Sequence, residues 1–137
     1  MGYSLLIVDD SMIVRTGLET LFAKSGHWDR IVTANDGADG LEKLRTEKPD
    51  IVCLDIEMPV MDGLQVLQEV ATLKQNGEVP NDLPVVVLSG TMHENDSNVR
   101  RAKMLGAADV LAKPEGKSAT LRINFAELEE RLLRLLA

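Results

Sequence analysis

Acidic, hydroxyl and lysine side chains stand at the ends of four short apolar runs. They are Asp9 and Asp10 after residues 5–8, Asp55 after 51–54, Ser89 after 85–88 and Lys113 after 110–112. Apolar runs of this length are typical of buried parallel strands, whose carboxyl ends meet at one edge of a sheet. Three acids, a hydroxyl and an ammonium at that edge predict a site for phosphate and a divalent cation.

The adjacent acids Asp9 and Asp10 have two interpretations. One acid before a helix commonly caps it, because the carboxylate accepts hydrogen bonds from free N–H groups and its charge meets the helix dipole. Two carboxylates at the end of a buried strand repel each other, however, and a hard cation would relieve that repulsion. Mg²⁺ typically binds one or two carboxylates with phosphate oxygens and waters, so we favour a Mg²⁺ site completed by Asp55.

Alternating apolar runs and amphipathic segments must position these residues. Strands are predicted at residues 4–8, 31–34, 51–55, 85–89 and 110–113. Helices are predicted from Ser11 to Gly26, from Asp36 to Pro49, over 64–74, over about 95–105, and from Asn124, where Glu127 would complete a capping box. Five such units predict an α/β fold, a doubly wound five-stranded parallel sheet with five helices. No linker or repeat interrupts the chain, so residues 1–137 are expected to form a single domain.

Composition excludes several classes of protein. The 137 residues carry a net charge of -7, which disfavours direct binding to nucleic acid or anionic membrane. No apolar stretch approaches the roughly 20 residues that span a bilayer, and no signal peptide is present, so a cytoplasmic protein is expected. The single cysteine, Cys53, lies in an apolar run and predicts a buried, unreactive thiol. Trp28 is predicted to be a partly buried anchor before the second strand.

The chain resembles the receiver domains of two-component response regulators from about residue 4 to residue 137. The matching segments are LIVDDS around Asp9, LDIEMP around Asp55, MDG at 61–63, VVLSG around Ser89, and GA at 106–107 followed by AKP around Lys113. The order and spacing of these segments carry the resemblance, which is strongest to chemotaxis-type and methylesterase-type receivers. It implies a flavodoxin-like sheet with strand order 2-1-3-4-5.

The resemblance also implies a function. Asp55 would accept a phosphoryl group from a phosphohistidine on a sensor histidine kinase or phosphotransfer protein. Asp10, Asp55 and the backbone carbonyl of Glu57 would bind Mg²⁺, and Asp9 would contact the ion through water. Ser89 and Lys113 would contact the acyl phosphate. Phosphorylation would then change binding to an effector domain, a target protein or a second copy. No enzymatic activity is implied beyond self-phosphorylation and slow autodephosphorylation.

The sequence departs from the family pattern at Val110, where many receivers carry Tyr or Phe. No aromatic ring can reorient there, so the conformational response must use other parts of the fourth helix and fifth strand. Glu57 and Thr91 lie two residues beyond Asp55 and Ser89, at family positions that tune the lifetime of the phosphoryl group.

Two alternative functions are considered. A phosphohydrolase of the haloacid dehalogenase type also uses a strand-end Asp, but it needs a second Asp two residues later, where this chain has Glu57. A degenerate interaction domain would keep the fold without the chemistry, and the intact acid, hydroxyl and lysine set disfavours it. The chain also lacks the Gly-x-Ser-x-Gly nucleophile elbow that a methylesterase half would need.

Overall fold

Strands and helices alternate along the whole chain. A computed structural model describes residues 2–90, 97–114 and 118–137. The elements are β1 (Tyr3–Val8), α1 (Met12–Ser25), β2 (Trp28–Ala34), α2 (Gly37–Glu47), β3 (Ile51–Asp55), α3 (Gly63–Gln75), β4 (Val85–Ser89), α4 (Ser97–Met104), β5 (Asp109–Ala112) and α5 (Ser118–Leu136). All strand pairs are parallel, in the order β2-β1-β3-β4-β5, which confirms the predicted fold class and strand order.

The apolar runs are continuous because the three central strands are buried on both faces. One face packs against α1 and α5 and carries Leu5, Ile7, Ile51, Cys53, Val86 and Leu88. The other packs against α2, α3 and α4 and carries Leu6, Val8, Val52, Leu54, Val85 and Val87. Cys53 is buried as predicted, and this burial raises the pKa of its thiol to about 12. The thiol therefore stays protonated at neutral pH.

Local capping sets the helix ends nearest the strand-end acids. The Ser11 hydroxyl accepts a hydrogen bond from the N–H of Val14 and begins α1, and Gly26 ends it with φ of 80°, as predicted. Asp62 and Gln65 form a reciprocal capping box at α3, which the sequence analysis did not identify. Both caps hold loops that carry the predicted site.

Two predicted boundaries are wrong. Helix α5 begins at Ser118, so Asn124 lies inside it and does not form a capping box with Glu127. No Gly or Pro interrupts residues 118–123, so the helix extends past the local cap signal. Strand β2 begins at Trp28 and not at residue 31, because Trp28 pairs with Tyr3 at the start of β1. The predicted start of α4, near residue 95, lies outside the described residues. No described helix combines the length and apolarity needed to cross a membrane.

Candidate functional site

Three carboxylates meet at the carboxyl edge of the sheet. Asp55 ends β3 and Asp9 directly follows β1, and the pairing of Val8 with Leu54 sets these two acids side by side. Asp55 and Asp9 are only 1% and 2% exposed, whereas Asp10 is exposed. One oxygen from each of the three groups lies within 4.8 Å of the others. The structure therefore brings together the acids for which a cation site was predicted.

Lys113 joins this cluster from the end of β5. Its Nζ lies 2.9 Å from Asp55 Oδ1 and 3.5 Å from Asp9 Oδ2. Its backbone N–H donates to the carbonyl of Ser89 at 3.0 Å, so the β4–β5 pairing continues past Ala112 and directs the lysine inward. Burial alone would lower the pKa of Lys113, but its contacts with the two carboxylates outweigh burial and raise the pKa above its usual value. The ammonium is a fixed positive charge at neutral pH.

The two oxygens of Asp55 have different surroundings. Oδ1 accepts a hydrogen bond from the N–H of Glu57 at 3.1 Å and contacts Lys113. Oδ2 is buried and has no hydrogen-bond partner in the described part of the chain. A buried oxygen without a partner is costly, because it has lost water and gained nothing in exchange. No hydrogen bond to Oδ2 from the described residues would have to break before it reacted, and the three clustered carboxylates fit a hard divalent cation.

Among the causes that shift the pKa of Asp55, burial has the largest effect. It raises the pKa of the carboxyl to about 6 from a reference of 3.8, against the lowering effects of Lys113 and the Glu57 N–H, while the charge of Asp9 adds to the increase. The folded metal-free protein therefore holds a proton on Asp55 in a pH range where the unfolded chain has released it.

This difference predicts a pH dependence of stability. Between about pH 4 and 6 the folded state binds more protons at Asp55 than the unfolded state, so the free energy of unfolding falls as pH rises. Urea denaturation of the metal-free wild type and of Asp55→Asn isolates this contribution. The stability of the wild type relative to the variant is expected to fall by about 2 kcal/mol across that range. A difference that stays constant or grows with pH would contradict it.

Arg15, on the first turn of α1, was not identified by the sequence analysis. Its Nη1 donates to the backbone carbonyl of Asp9 at 2.7 Å. Arg15 also lines a cleft of about 450 Å³ together with Asp10 and residues of the loops after β2 and β3. Its position in the sequence could have predicted this contact. Arg15 lies about one helical turn after Ser11, and a helical side chain points back toward the start of its helix, where Asp9 and Asp10 lie.

The loop after β3 passes very close to the backbone of Asp55. The N–H of Gly63 donates to the carbonyl of Ile56 at 3.0 Å. A β-carbon at Gly63 would lie 2.6 Å from the carbonyl oxygen of Asp55 and 2.7 Å from the α-carbon of Ile56. Only glycine fits at this position, and its contact with the strand end helps to hold Asp55 in place.

A family model described as the response regulator receiver domain matches residues 5–123. The chain belongs to this family. This receiver domain is also similar to curated protein-glutamate methylesterase/protein-glutamine glutaminases. It is 36% identical to the one from Halalkalibacterium halodurans over 81% of the chain, and 40% identical to the one from Symbiobacterium thermophilum over 90% of the chain. These matches cover 30% and 32% of the relatives, so the chain spans about a third of their length.

Solved structures share the architecture of this receiver domain. The response regulator domain of Thermotoga maritima CheB superposes with a TM-score of 0.81 at 28% identity, covering 98% of this chain and 96% of that one. Vibrio cholerae CheY4 gives a TM-score of 0.79 at 24% identity, covering 98% and 99% of the two chains, and supports the fold. The predicted resemblance to chemotaxis-type and methylesterase-type receivers is confirmed.

Three of the other predicted residues lie in β4, in β5 or just after β3. Ser89 is buried at the end of β4, one residue beyond Leu88, which pairs with Asp55. The Glu57 side chain is exposed, and its Oε2 lies 3.9 Å from where a β-carbon at Gly90 would be. Val110 is buried in β5, in the same core as Val99 and Ala102 of α4. Thr91 lies outside the described residues.

Proposed function

We propose that this receiver domain accepts a phosphoryl group on Asp55 Oδ2 within a two-component phosphorelay. One observation carries the proposal. Oδ1 is held by Lys113 and the Glu57 N–H, whereas the buried Oδ2 has no partner in the described part of the chain. The carboxylate is thus held by one oxygen, and the other is available to act as a nucleophile.

The transfer step follows from this arrangement. Asp55 Oδ2 forms a bond to phosphorus as the bond from phosphorus to the imidazole nitrogen of a phosphohistidine breaks, and that nitrogen keeps the electron pair. Lys113 offsets negative charge beside the reacting carboxylate, and Ser89 contacts the transferred group. Mg²⁺ held by Asp10, Asp55 and the Glu57 carbonyl, with Asp9 acting through water, would offset charge on the phosphoryl oxygens. Positioning and charge therefore supply the catalysis.

The signalling role follows from the charge that phosphorylation adds. A phosphoryl group brings about -1.5 to -2 charge into a cluster that already holds three acids and one lysine. We propose that residues 1–137 form a single receiver unit, which is phosphorylated by a histidine kinase or phosphotransfer protein. Similarity to chemotaxis methylesterases favours an effector domain or target protein in a chemotaxis system. Glu57 and Thr91 would set the lifetime of the phosphoryl group. Val110, which shares a core with Val99 and Ala102 of α4, would transmit the effect of phosphorylation to that helix.

Intact mass measurement with acetyl phosphate tests the proposal. In Mg²⁺ the protein is expected to gain one phosphoryl group that hydroxylamine removes, as an acyl phosphate requires. The adduct is expected to form far more slowly in EDTA, because the clustered carboxylates then lack their cation. Absence of an adduct at every donor concentration would refute the proposal. Rapid multiple turnover of phosphomonoesters would instead indicate a phosphohydrolase.

A further inference from the structure

The backbone on both sides of Asp9 is held by groups outside its own strand. The N–H of Asp9 donates to the carbonyl of Ala34 at 3.1 Å, where β2 ends. The carbonyl of Asp9 accepts a hydrogen bond from Arg15 Nη1 at 2.7 Å. Because a peptide is planar, the Asp9 carbonyl and the Asp10 nitrogen move as one unit. Arg15 therefore restricts the backbone from which the Asp10 side chain projects.

The two acids differ in what holds their side chains. The Asp9 carboxylate accepts a hydrogen bond from the Ser11 N–H at 2.9 Å and faces Lys113. The Asp10 carboxylate is exposed and has no hydrogen bond or ion pair within the described residues. The direction of the Asp10 side chain thus depends on its backbone, which is the part that Arg15 holds.

We infer that Arg15 is a positioning residue, whose hydrogen bond to the Asp9 carbonyl keeps the Asp10 carboxylate directed at the cation site. The inference rests on the proposed function, since it assigns Arg15 a part in Mg²⁺ binding. Arg15 is half-buried and forms no ion pair in the described part of the chain, so the Asp9 carbonyl is the group that fixes its guanidinium there. Arg15 and Asp10 line the same cleft.

The charge of Arg15 and its hydrogen bond have opposite effects on cation binding. A guanidinium close to the site repels Mg²⁺, so removing the charge alone would tighten binding. Removing the hydrogen bond would free the peptide and let Asp10 turn away, which weakens binding. The sign of the change in Mg²⁺ affinity therefore distinguishes positioning from simple electrostatics. A role limited to stability would leave the affinity of the folded protein unchanged.

Calorimetric titration of Mg²⁺ into the full chain measures this sign. Arg15→Met is expected to raise the dissociation constant about 10-fold, in the range typical for loss of a group that orients a metal ligand. Arg15→Lys keeps the charge and a donor, so it is expected to restore most of the affinity. Lys24→Met removes a cation from the exposed far end of α1 and serves as the matched control, with affinity expected to equal that of the wild type.

Phosphorylation by acetyl phosphate supplies a second measurement. For Arg15→Met the Mg²⁺ concentration giving half the maximal rate is expected to rise, while the rate at saturating Mg²⁺ stays near that of the wild type. An unchanged or lower dissociation constant in Arg15→Met, with the wild type binding Mg²⁺, would overturn the role of Arg15 alone. A wild type that neither binds Mg²⁺ nor gains a phosphoryl group would overturn the proposed function, and this inference with it.

Discussion

Asp55→Asn is expected to gain no phosphoryl group from acetyl phosphate in Mg²⁺, under conditions where the wild type is fully modified. The carboxamide has nearly the same shape as the carboxylate, but its oxygen carries no negative charge and is a poor nucleophile. Lys113 would keep Asp9 as a partner, and the fold would lose no side-chain volume. Intact mass spectrometry measures the loss directly, and circular dichroism checks that the variant is folded.

Asp82→Asn is the matched control for this substitution. It makes the same chemical change at an exposed position in the loop before β4, away from the acid cluster. Its adduct is expected to form at the rate of the wild type. An Asp55→Asn protein that still gained one hydroxylamine-sensitive phosphoryl group would show that another carboxylate is the acceptor.

Gly63→Ala is expected to lower the free energy of unfolding by about 3 kcal/mol. The added methyl group would overlap the backbone of Asp55 and Ile56, and neither can move as freely as the end of a flexible side chain. The strand end would have to shift, so weaker Mg²⁺ binding is expected in the folded fraction. Urea denaturation measures the first effect, and calorimetric titration measures the second.

Gly17→Ala is the control for this pair of measurements. Gly17 lies on an exposed turn of α1, and a β-carbon there would meet nothing within 4 Å. Alanine favours a helix over glycine, so stability is expected to rise by up to about 1 kcal/mol with Mg²⁺ affinity unchanged. If Gly63→Ala were as stable as the wild type, the close approach to Asp55 would not constrain the loop.

The sequence predicts the fold well because the same short-range signals recur along the chain. The apolar runs before Asp9, Asp55 and Ser89 are long enough to be buried strands, and caps such as Ser11 and Gly26 act within a few residues. The meeting of the three acids follows from parallel pairing, which places all strand ends on one edge. These inferences need no knowledge of how helices pack.

Other features depend on contacts that no local pattern encodes. The predicted start of α5 was wrong because Asn124, a good cap residue, also fits inside a helix. The six residues before it contain no Gly or Pro to stop the helix from starting earlier. The unequal surroundings of the two Asp55 oxygens arise from Lys113, 58 positions away in the chain. The hydrogen bond of Arg15 to the Asp9 carbonyl depends on where α1 sits on the sheet.

The fluorescence of the single tryptophan, Trp28, reports on the end of the sheet opposite the acid cluster. Trp28 begins β2, and its Nε1 donates to the carboxylate of Glu129 in α5 at 2.9 Å. Its ring packs edge-on with the ring of Phe22 in α1, with the two ring centroids 5.6 Å apart. The acid cluster lies at the other end of the strands, roughly 20 Å away. A metal ion or phosphoryl group cannot quench the indole by contact over that distance. A shift in its emission on phosphorylation would therefore report a change in how α1 or α5 packs at this end of the sheet.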